Sequence, residues 1–305
     1  MVSFELQCVP GYEILGELGR GDMGVTYRAR RSGGQPSDGE QIVALKVVLA
    51  GEPLSDQELT WFEQEAWAVA RLRHPRIVDI LDVGRSQGRP FYAMELIDGD
   101  SLAVRLQGEP ASPRWSAELV ERMARAVDAA HQAGILHCDL KPANVLLAPS
   151  DQPKVKDFSL ARHLSRPNSQ RSTAARLPGT PQYLAPEEVA GRMVQVSPRT
   201  DVYSLGAILY HLLTGQSPFQ SADDAETRRR ILRHDARAPR QLNPLVPDDL
   251  ETIALKCLEK DPARRLASAA MLGDELGRYL AGEPILSRPP SRLYRMYRWL
   301  GGNGG

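Results

Sequence analysis

The sequence predicts an α+β protein in which a small, β-rich N-terminal lobe precedes a larger helical lobe. Residues 11–50 contain three runs of β-branched and apolar residues at strand spacing, and a loop rich in Gly, Ser and Pro separates the last two. After Gly99 the apolar residues recur at helical spacing instead. These helical segments are residues 113–134, 199–214, 248–259 and 268–280.

The first lobe is completed by a helix and two further strands. Ser55 and Glu58 form an S-x-x-E capping box, which predicts that the helix begins there. The inner face of this helix carries four residues at helical spacing, namely Phe62, Glu65, Ala66 and Val69. Two strands are predicted to follow it, over residues 77–83 and 91–96.

The second lobe begins after the last of these strands. Ser112 followed by Pro113 predicts a helix start, and Gly134 predicts its end. Residues 135–190 are rich in loops and contain most of the unusual polar residues. We therefore predict one lobe over residues 1–97 and another over residues 98–282.

The last segment, residues 283–305, differs in composition from the rest. It carries four arginines and three aromatic residues, and it ends in GGNGG. One interpretation is a solvated tail or a trailing helix. The other is a basic, aromatic stretch before a membrane span beyond Gly305, which would tether a cytoplasmic domain to the inner face of a membrane.

Composition narrows the class of protein. The formal net charge is zero, so no general attraction to nucleic acid or to an anionic membrane is predicted. The three cysteines form no CxxC pair, which argues against a disulfide framework or a zinc site and fits a reducing compartment.

The N-terminus has no signal-peptide pattern. The longest apolar stretch, Leu205–Leu213, is too short to cross a bilayer and predicts a buried core helix. The sequence does not indicate which oligomeric state the protein adopts.

A glycine pattern and a lysine in the first lobe point to phosphate binding. Gly19, Gly21 and Gly24 lie between two predicted strands, where glycine lets a backbone approach phosphates closely. A tight hairpin explains the glycines equally well, but a dinucleotide fold does not, because a strand rather than a helix follows them. Lys46 lies in the apolar strand VALKVV, where burial requires a partner unless the lysine is on an exposed edge. Glu65 on the following helix is the predicted partner.

The segment from His137 to Asn144, HCDLKPAN, carries the strongest catalytic signal. The sequence DFS follows thirteen residues later and begins at Asp157. Asp139 is the candidate acceptor of a proton from an attacking hydroxyl, and Lys141 would neutralise charge on a moving phosphoryl group. Asn144 and Asp157 offer the hard oxygen ligands that Mg²⁺ prefers, so they are the candidate metal ligands.

In these motifs the chain resembles the eukaryotic-like (Hanks-type) serine/threonine protein kinases of bacteria, over about residues 10–282. The motifs occur in the order of that family: LGRGDMG, VALK, the helix glutamate, MELIDGDSL, HCDLKPAN, DFS, GTPQYLAPE, TDVYSLG and DPARR. The resemblance implies a bilobal protein kinase fold, ATP and Mg²⁺ as cofactors, and protein substrates. It also implies transfer of the ATP γ-phosphate to serine or threonine hydroxyls, with autophosphorylation, and a catalytic role for a Lys46–Glu65 pair.

The resemblance assigns further residues, each of which could equally be simple core packing. The residues implied for the adenine site are Thr26, Ala44, Met94, Glu95, Ile97 and Leu146. Val69, His137 and Phe158 would form a hydrophobic column that keeps Asp157 and Glu65 aligned. Asp201 would anchor the catalytic loop, or else supply a helix N-terminal charge. Glu187 would form a buried pair with Arg265.

Three positions depart from the family pattern. Cys138 replaces the arginine that usually grips a phosphate on the activation loop, and Ser159 replaces a glycine. Thr26 replaces the valine over the adenine ring, which would lower nucleotide affinity modestly. We therefore expect activity to depend little on phosphorylation of that loop, and phosphatase treatment tests this expectation. The alternative is that another basic residue binds the phosphate instead. The candidate phosphoacceptors in the loop are Ser169, Ser172, Thr173 and Thr180.

Two other classes of protein remain open at this point. A pseudokinase would bind nucleotide as a scaffold without transferring phosphate, but the residues Lys46, Glu65, Asp139, Asn144 and Asp157 are all present. A small-molecule phosphotransferase would lack the long segment 157–187, which this family uses to dock polypeptides. Lys141, two residues after Asp139, favours serine or threonine over tyrosine as the acceptor.

Overall fold

The computed structural model describes residues 9–21, 24–32, 41–48, 56–158 and 181–287, without the side chains of residues 56–59, 61 and 65. The chain divides into two compact units that alternate along the sequence. The first unit comprises Met1–Asp100, Ala129–Cys138 and Leu146–Gly179, and the second comprises Ser101–Asp128, Asp139–Val145 and Thr180–Gly305. The predicted boundaries after residues 97 and 282 stay a prediction.

A five-stranded antiparallel sheet dominates the first unit. Its strands are β1 (Tyr12–Gly21), β2 (Gly24–Arg31), β3 (Ile42–Val48), β4 (Ile80–Ser86) and β5 (Arg89–Glu95), in the spatial order β1-β2-β3-β5-β4. Gln87 and Gly88, both with positive φ, form the two-residue turn between β4 and β5. β4 begins at Ile80 rather than at the predicted residue 77, because Ile77 instead forms an isolated parallel bridge with Val155.

Alternation along β3 determines which side chains share a face. Val43, Leu45 and Val47 point into one apolar cluster, which strands β2 and β5 complete. Ala44 belongs to a second cluster on the opposite face, together with Tyr92 and Met94. Lys46 has the parity of Ala44, so its side chain emerges on this second face, directly across from Tyr92 in the β3–β5 register.

Helix α1 (Asp56–Ala70) follows β3 and contacts β4 and β5. Its inner residues Ala66 and Val69 are buried, as the helical spacing predicted. The predicted capping box lies outside the described residues at Ser55, and outside the described side chains at Glu58. Two short strands, β6 (Val145–Ala148) and β7 (Gln152–Val155), form a second, two-stranded sheet.

The second unit is helical. Its helices are α2 (Leu102–Arg105), α3 (Pro113–Gln132, whose last turn belongs to the first unit), α4 (Pro186–Val189), α5 (Pro198–Thr214), α6 (Asp224–Arg233), α7 (Asp248–Cys257) and α8 (Ala269–Ala281). These helices and the sheet of the first unit confirm the α+β prediction. No helix among the described residues has the length and apolar character needed to cross a membrane.

Helix α5 is the centre of the second unit. Nearly all of its residues are buried, including the apolar stretch Leu205–Leu213, which was predicted to be a core helix. It packs against α7 and α8. Gly206 allows a close approach to α7, since a Cβ atom at this position would lie only 2.3 Å from the Cβ atom of Cys257.

A buried ion pair joins α4 to the segment before α8. The Arg265 guanidinium donates to both carboxylate oxygens of Glu187 at 2.8 Å, and the two side chains are 0% and 1% exposed. Thr200 on α5 also donates to Glu187 at 2.8 Å, and Arg265 donates to the carbonyls of Glu259 and Arg199. The predicted Glu187–Arg265 pair is therefore present, with the additional hydrogen bonds that a buried pair needs.

Arg265→Leu should destabilise the fold strongly, because it leaves the Glu187 carboxylate buried without its cation. We expect the free energy of unfolding to fall by about 3–5 kcal/mol, measured by urea denaturation. Arg264→Leu is the matched control, since Arg264 is 57% exposed and its ion pair with Asp261 spans 3.9 Å. Equal stability of the two variants would contradict the assigned role of the buried pair.

Candidate active site

The carboxylate of Asp157 is the centre of the polar site in the first unit. It lies two residues beyond β7, and its side chain is 9% exposed. Lys46 donates to Oδ1 at 2.7 Å, and the Tyr92 hydroxyl donates to the same oxygen at 2.8 Å. Lys156 donates to Oδ2 at 2.6 Å. The predicted metal ligand therefore carries hydrogen bonds from two lysines and a tyrosine.

Burial and charge act on Asp157 in opposite directions. Burial alone would raise the pKa of its carboxyl group, because a low-dielectric environment disfavours the charged form. The charges and hydrogen bonds of Lys46 and Lys156 more than offset burial and hold the pKa of Asp157 well below its usual value. This carboxylate is therefore ionised near neutral pH, as a magnesium ligand must be.

The sheet register positions the first of these lysines. Lys46 and Tyr92 are Cα partners in the β3–β5 pairing, and the Lys46 ammonium lies 5.9 Å from the centroid of the Tyr92 ring. The sequence predicted that Lys46 needs an anionic partner, and the structure provides Asp157. The predicted partner, Glu65, lies within α1, but its side chain is outside the described part of the structure, so the Lys46–Glu65 pair stays a prediction.

Packing of His137 and Phe158 positions Asp157 from the other side. The two rings lie 4.5 Å apart between centroids, and both side chains are buried. The Nε2 atom of His137 lies 3.0 Å from the carbonyl oxygen of Lys156, to which it donates. Val69 and Phe158 line one small cavity together with Asp157. The predicted column is thus present in its His137–Phe158 contact, which holds the chain on both sides of Asp157.

The residues predicted for the adenine site fall in the same unit. Ala44 and Met94 are cross-strand partners, and Ile97 and Leu146 pack against their apolar cluster. Thr26 is the β2 partner of Lys46. The Glu95 carboxylate accepts hydrogen bonds from the Lys154 ammonium at 2.6 Å and from the Asp79 backbone at 2.9 Å. The Glu95 backbone N–H also donates to the Asp79 carbonyl at 3.0 Å. The Glu95 side chain and N–H are therefore both engaged by protein, and its contact with a base stays a prediction.

The glycine loop has one glycine with a clear steric requirement. Gly24 has φ of +152°, and a Cβ atom there would lie 2.1 Å from the Val47 carbonyl oxygen. At Gly19 and Gly21 a Cβ atom would meet nothing within 4 Å among the described residues. The hairpin thus requires glycine at Gly24, whereas the protein packing gives no reason for the other two. Close approach of a phosphate to Gly19 and Gly21 stays a prediction.

The catalytic loop brings three predicted residues together in the second unit. The Lys141 ammonium lies 2.9 and 3.0 Å from the two carboxylate oxygens of Asp139. The Nδ2 atom of Asn144 donates to the Asp139 carbonyl and to its Oδ2, both at 2.8 Å. A 3-10 turn over Pro142–Asn144 positions this amide, which is 4% exposed. The carboxylate of Asp139 is thereby fixed in orientation, and Oδ1 is the atom of Asn144 that suits a cation.

Each predicted metal ligand carries a donor that suits magnesium. Asp157 in the first unit has a carboxylate and Asn144 in the second unit has an amide oxygen, and both are hard ligands of the kind that Mg²⁺ prefers. No group of three or more His, Cys, Asp or Glu side chains arranged for a metal occurs among the described residues. Magnesium sites in phosphoryl transfer commonly use only one or two protein carboxylates, so the predicted ligands do not require such a group.

Two residues with left-handed backbone lie next to the catalytic groups. Cys138, the departure from the family pattern, has φ of +55° and directly precedes Asp139, and Asp157 itself has φ of +65°. Non-glycine residues rarely adopt this conformation, and functional sites are where such strain concentrates. Ser159 and the predicted phosphoacceptors lie outside the described residues. Asp201, the predicted anchor on α5, is completely buried.

Sequence reasoning missed Tyr92 and Lys156. A signal existed for each of them. A tyrosine in a fully buried strand needs a partner for its hydroxyl, and the register places Tyr92 across from Lys46. A lysine immediately before the predicted metal ligand in VKDFS brings a second cation within one residue of that ligand.

Comparison with known proteins identifies the class. The protein kinase domain family matches residues 12–276, so this chain belongs to that family. Serine/threonine-protein kinase PknB of Mycobacterium leprae is 35% identical over 90% of this chain and 43% of its own length. The probable serine/threonine-protein kinase PknB of Lactococcus lactis is 35% identical over 83% of this chain and 39% of its own length. The chain thus spans about two fifths of the curated relatives it matches.

A solved kinase structure is also similar to this chain. The crystal structure of the Mycobacterium tuberculosis PknI kinase domain is similar with a TM-score of 0.68 and 26% identity, covering 89% of this chain and 96% of that one. The chain is therefore a eukaryotic-like protein kinase domain of the bacterial serine/threonine type, and the predicted family resemblance and kinase fold are confirmed.

Tyr92→Phe should destabilise the first unit, because the buried Oδ1 of Asp157 loses a hydrogen bond while the ring is kept. The free energy of unfolding should fall by about 1.5–3 kcal/mol, the usual range for a hydrogen bond to a charged group, in denaturant titrations. The control is Tyr203→Phe, since the Tyr203 hydroxyl is buried with no hydrogen-bond partner among the described residues. A loss as large in Tyr203→Phe as in Tyr92→Phe would refute the role assigned to the Tyr92 hydroxyl.

Proposed function

We propose that this domain transfers the γ-phosphate of ATP to serine or threonine hydroxyls of proteins, including its own. The observation that carries the proposal is the buried ion pair between Lys46 and Asp157, with a 2.7 Å contact. A lysine from a sheet strand and a carboxylate far along the chain are both desolvated there, and this cost makes stability a weak explanation for the pair and supports a functional one. Lys46 would bind nucleotide phosphates, and Asp157 would bind the accompanying metal.

Asp139 is the proposed acceptor of the substrate hydroxyl proton. Its carboxylate is 15% exposed, and Lys141 and Asn144 hold it in one orientation. A fixed carboxylate can accept a proton at Oδ1 or Oδ2 without first reorganising, which is the main advantage of a positioned base. Lys141 already contacts both oxygens, so it can stabilise charge on the transferred phosphoryl group while it holds Asp139.

Asp157 and Asn144 are the proposed ligands of two magnesium ions. Asp157 and Asn144 would hold magnesium, which would supply positive charge to offset that of the nucleotide phosphates. The protein's own part is to keep Asp157 ionised and buried, and to present Asn144 from a rigid turn. Ala44, Met94, Ile97 and Leu146 would hold the adenine ring by apolar contact, and Gly19 and Gly21 would let the backbone lie against the phosphates.

A protein rather than a metabolite is the proposed substrate class. The described part of the GTPQYLAPE segment is anchored on α5. The Tyr183 hydroxyl contacts Nδ1 of His211 at 2.6 Å, and Ser204 donates to the Tyr183 carbonyl at 2.9 Å. Glu187, at the end of this segment, is held by Arg265. Such anchoring supports a rigid platform on which an extended polypeptide can lie, and this platform together with Lys141 supports the serine/threonine preference.

The location of the domain is part of the proposal. We propose a cytoplasmic kinase domain, and we propose that the basic, aromatic residues near the end of the sequence lie beside a membrane in the full-length protein. These residues lie outside the described part of the structure. The proposal rests on their arginine and aromatic composition, which suits an anionic membrane surface. Fractionation of cells that express the full-length protein tests it.

A second candidate function is a nucleotide-binding scaffold without transfer activity. The observation that favours it is the contact of Lys156 with Oδ2 of Asp157, because a cation already lies where a metal would bind. The same transfer experiment separates the two functions.

Asp139→Asn should abolish phosphate transfer. Removing the base should slow transfer by about 10²–10⁴-fold, measured as incorporation of radiolabel from γ-labelled ATP into serine and threonine of the domain and of a general protein substrate. Asp224→Asn is the matched control, since Asp224 lies exposed in the first turn of α6 and should retain wild-type transfer. Equal labelling of wild type and Asp139→Asn would defeat the catalytic proposal in favour of the scaffold.

A further inference from the structure

Lys156 makes the site around Asp157 different from a single lysine–carboxylate pair. Its ammonium contacts Oδ2 at 2.6 Å, while the Lys46 ammonium contacts Oδ1 at 2.7 Å. Each oxygen of the carboxylate thus has its own ammonium group. The established family roles account for Lys46 but assign nothing to Lys156.

The two oxygens differ in their remaining capacity to bind a cation. A carboxylate oxygen has about two lone pairs for hydrogen bonds or metals. Oδ1 already accepts two hydrogen bonds, one from Lys46 and one from Tyr92. Oδ2 accepts one hydrogen bond, from Lys156, so it is the oxygen at which a further cation can add. A metal ion and an ammonium group at the same oxygen repel each other, so a metal that binds Oδ2 drives the Lys156 ammonium away from it.

The two lysines also differ in where they lie in the fold and in how exposed they are. Lys46 lies inside the sheet, paired with Thr26 on one side and Tyr92 on the other, and its side chain is 11% exposed. Lys156 follows the last residue of β7, and its side chain is 21% exposed. His137 anchors the backbone carbonyl of Lys156. The long side chain of Lys156 can therefore move away while its backbone stays in place.

We propose that Lys156 occupies the cation position at Oδ2 of Asp157 when no metal is bound, and that magnesium must displace its ammonium group to bind there. Lys156 is thus a positioning residue that holds the Asp157 carboxylate in its orientation. The consequence is a raised magnesium requirement, since metal and ammonium compete for one oxygen and repel each other. This inference rests on the proposed function, because it assumes that Asp157 is the metal ligand.

The test measures magnesium-dependent ADP binding, which requires no phosphate transfer. Binding of ADP to the domain is followed by calorimetry at a series of free Mg²⁺ concentrations, and the Mg²⁺ concentration that gives half of the full gain in ADP affinity is recorded. Lys156→Met keeps the length of the side chain but removes its charge. It should lower this concentration by about fivefold or more, since a charge-assisted contact no longer has to be broken.

Three further variants make the result specific. Lys156→Gln should behave like Lys156→Met, and it provides a second measurement of the magnesium requirement if the methionine variant folds poorly. Lys156→Arg keeps a cation and should retain a requirement close to that of wild type. Arg73→Met removes one positive charge from a 67% exposed side chain of the same unit, so it controls for a general change in charge and should leave the requirement unchanged.

The outcomes separate this inference from the proposed function. An unchanged or raised magnesium requirement in both Lys156→Met and Lys156→Gln would overturn the inference and leave the kinase proposal intact. An equal decrease in Arg73→Met would also overturn it, since the effect would then be general electrostatics. If ADP binding by the wild-type domain showed no dependence on magnesium, the proposed metal role of Asp157 would be refuted, and this inference with it.

Discussion

The ion pair between Lys46 and Asp157 is the interaction on which the proposed chemistry depends. Both side chains are largely buried, so Lys46 depends on Asp157 to offset its lost hydration, whereas Asp157 is also compensated by Lys156. The β3–β5 register sets the position of Lys46, and the packing of His137 against Phe158 sets that of Asp157. Sheet register and ring packing therefore act together to place the Lys46 ammonium against the Asp157 carboxylate. The resulting carboxylate stays ionised despite its burial, which a metal ligand requires.

In the second unit, carboxylate side chains are also held in fixed positions, but by other hydrogen bonds and ion pairs. The carboxylate of Asp139, the proposed catalytic base, is oriented by Lys141 and Asn144 from within the same loop. The buried Glu187–Arg265 pair holds the chain beyond the activation segment and has a full set of hydrogen bonds. In both units, hydrogen bonds and ion pairs between largely buried side chains hold loop segments in place. Rigid placement of this kind is what phosphoryl transfer demands of a protein, since positioning and charge supply most of the rate.

Much of this arrangement could be predicted from the sequence, and the remainder has a physical reason. Strand and helix spacing predicted the α+β fold, and motif spacing predicted Asp139, Asn144 and Asp157 as polar site residues. Periodicity shows which face a side chain occupies but not which distant residue it meets. For that reason the contact of Lys46 with Asp157, across 111 residues of sequence, and the Tyr92 hydroxyl bond were not predicted. The left-handed backbone at Cys138 likewise depends on tertiary packing rather than on local preference.

Mass spectrometry of the domain after incubation with ATP and Mg²⁺ tests the central claim most directly, when wild type is compared with Lys46→Met. If the Lys46–Asp157 pair serves phosphate transfer, wild type gains phosphate on serine and threonine. Lys46→Met should gain none, although it stays folded by circular dichroism. Equal phosphorylation of the two proteins, or a wild type without any phosphate, would contradict the account.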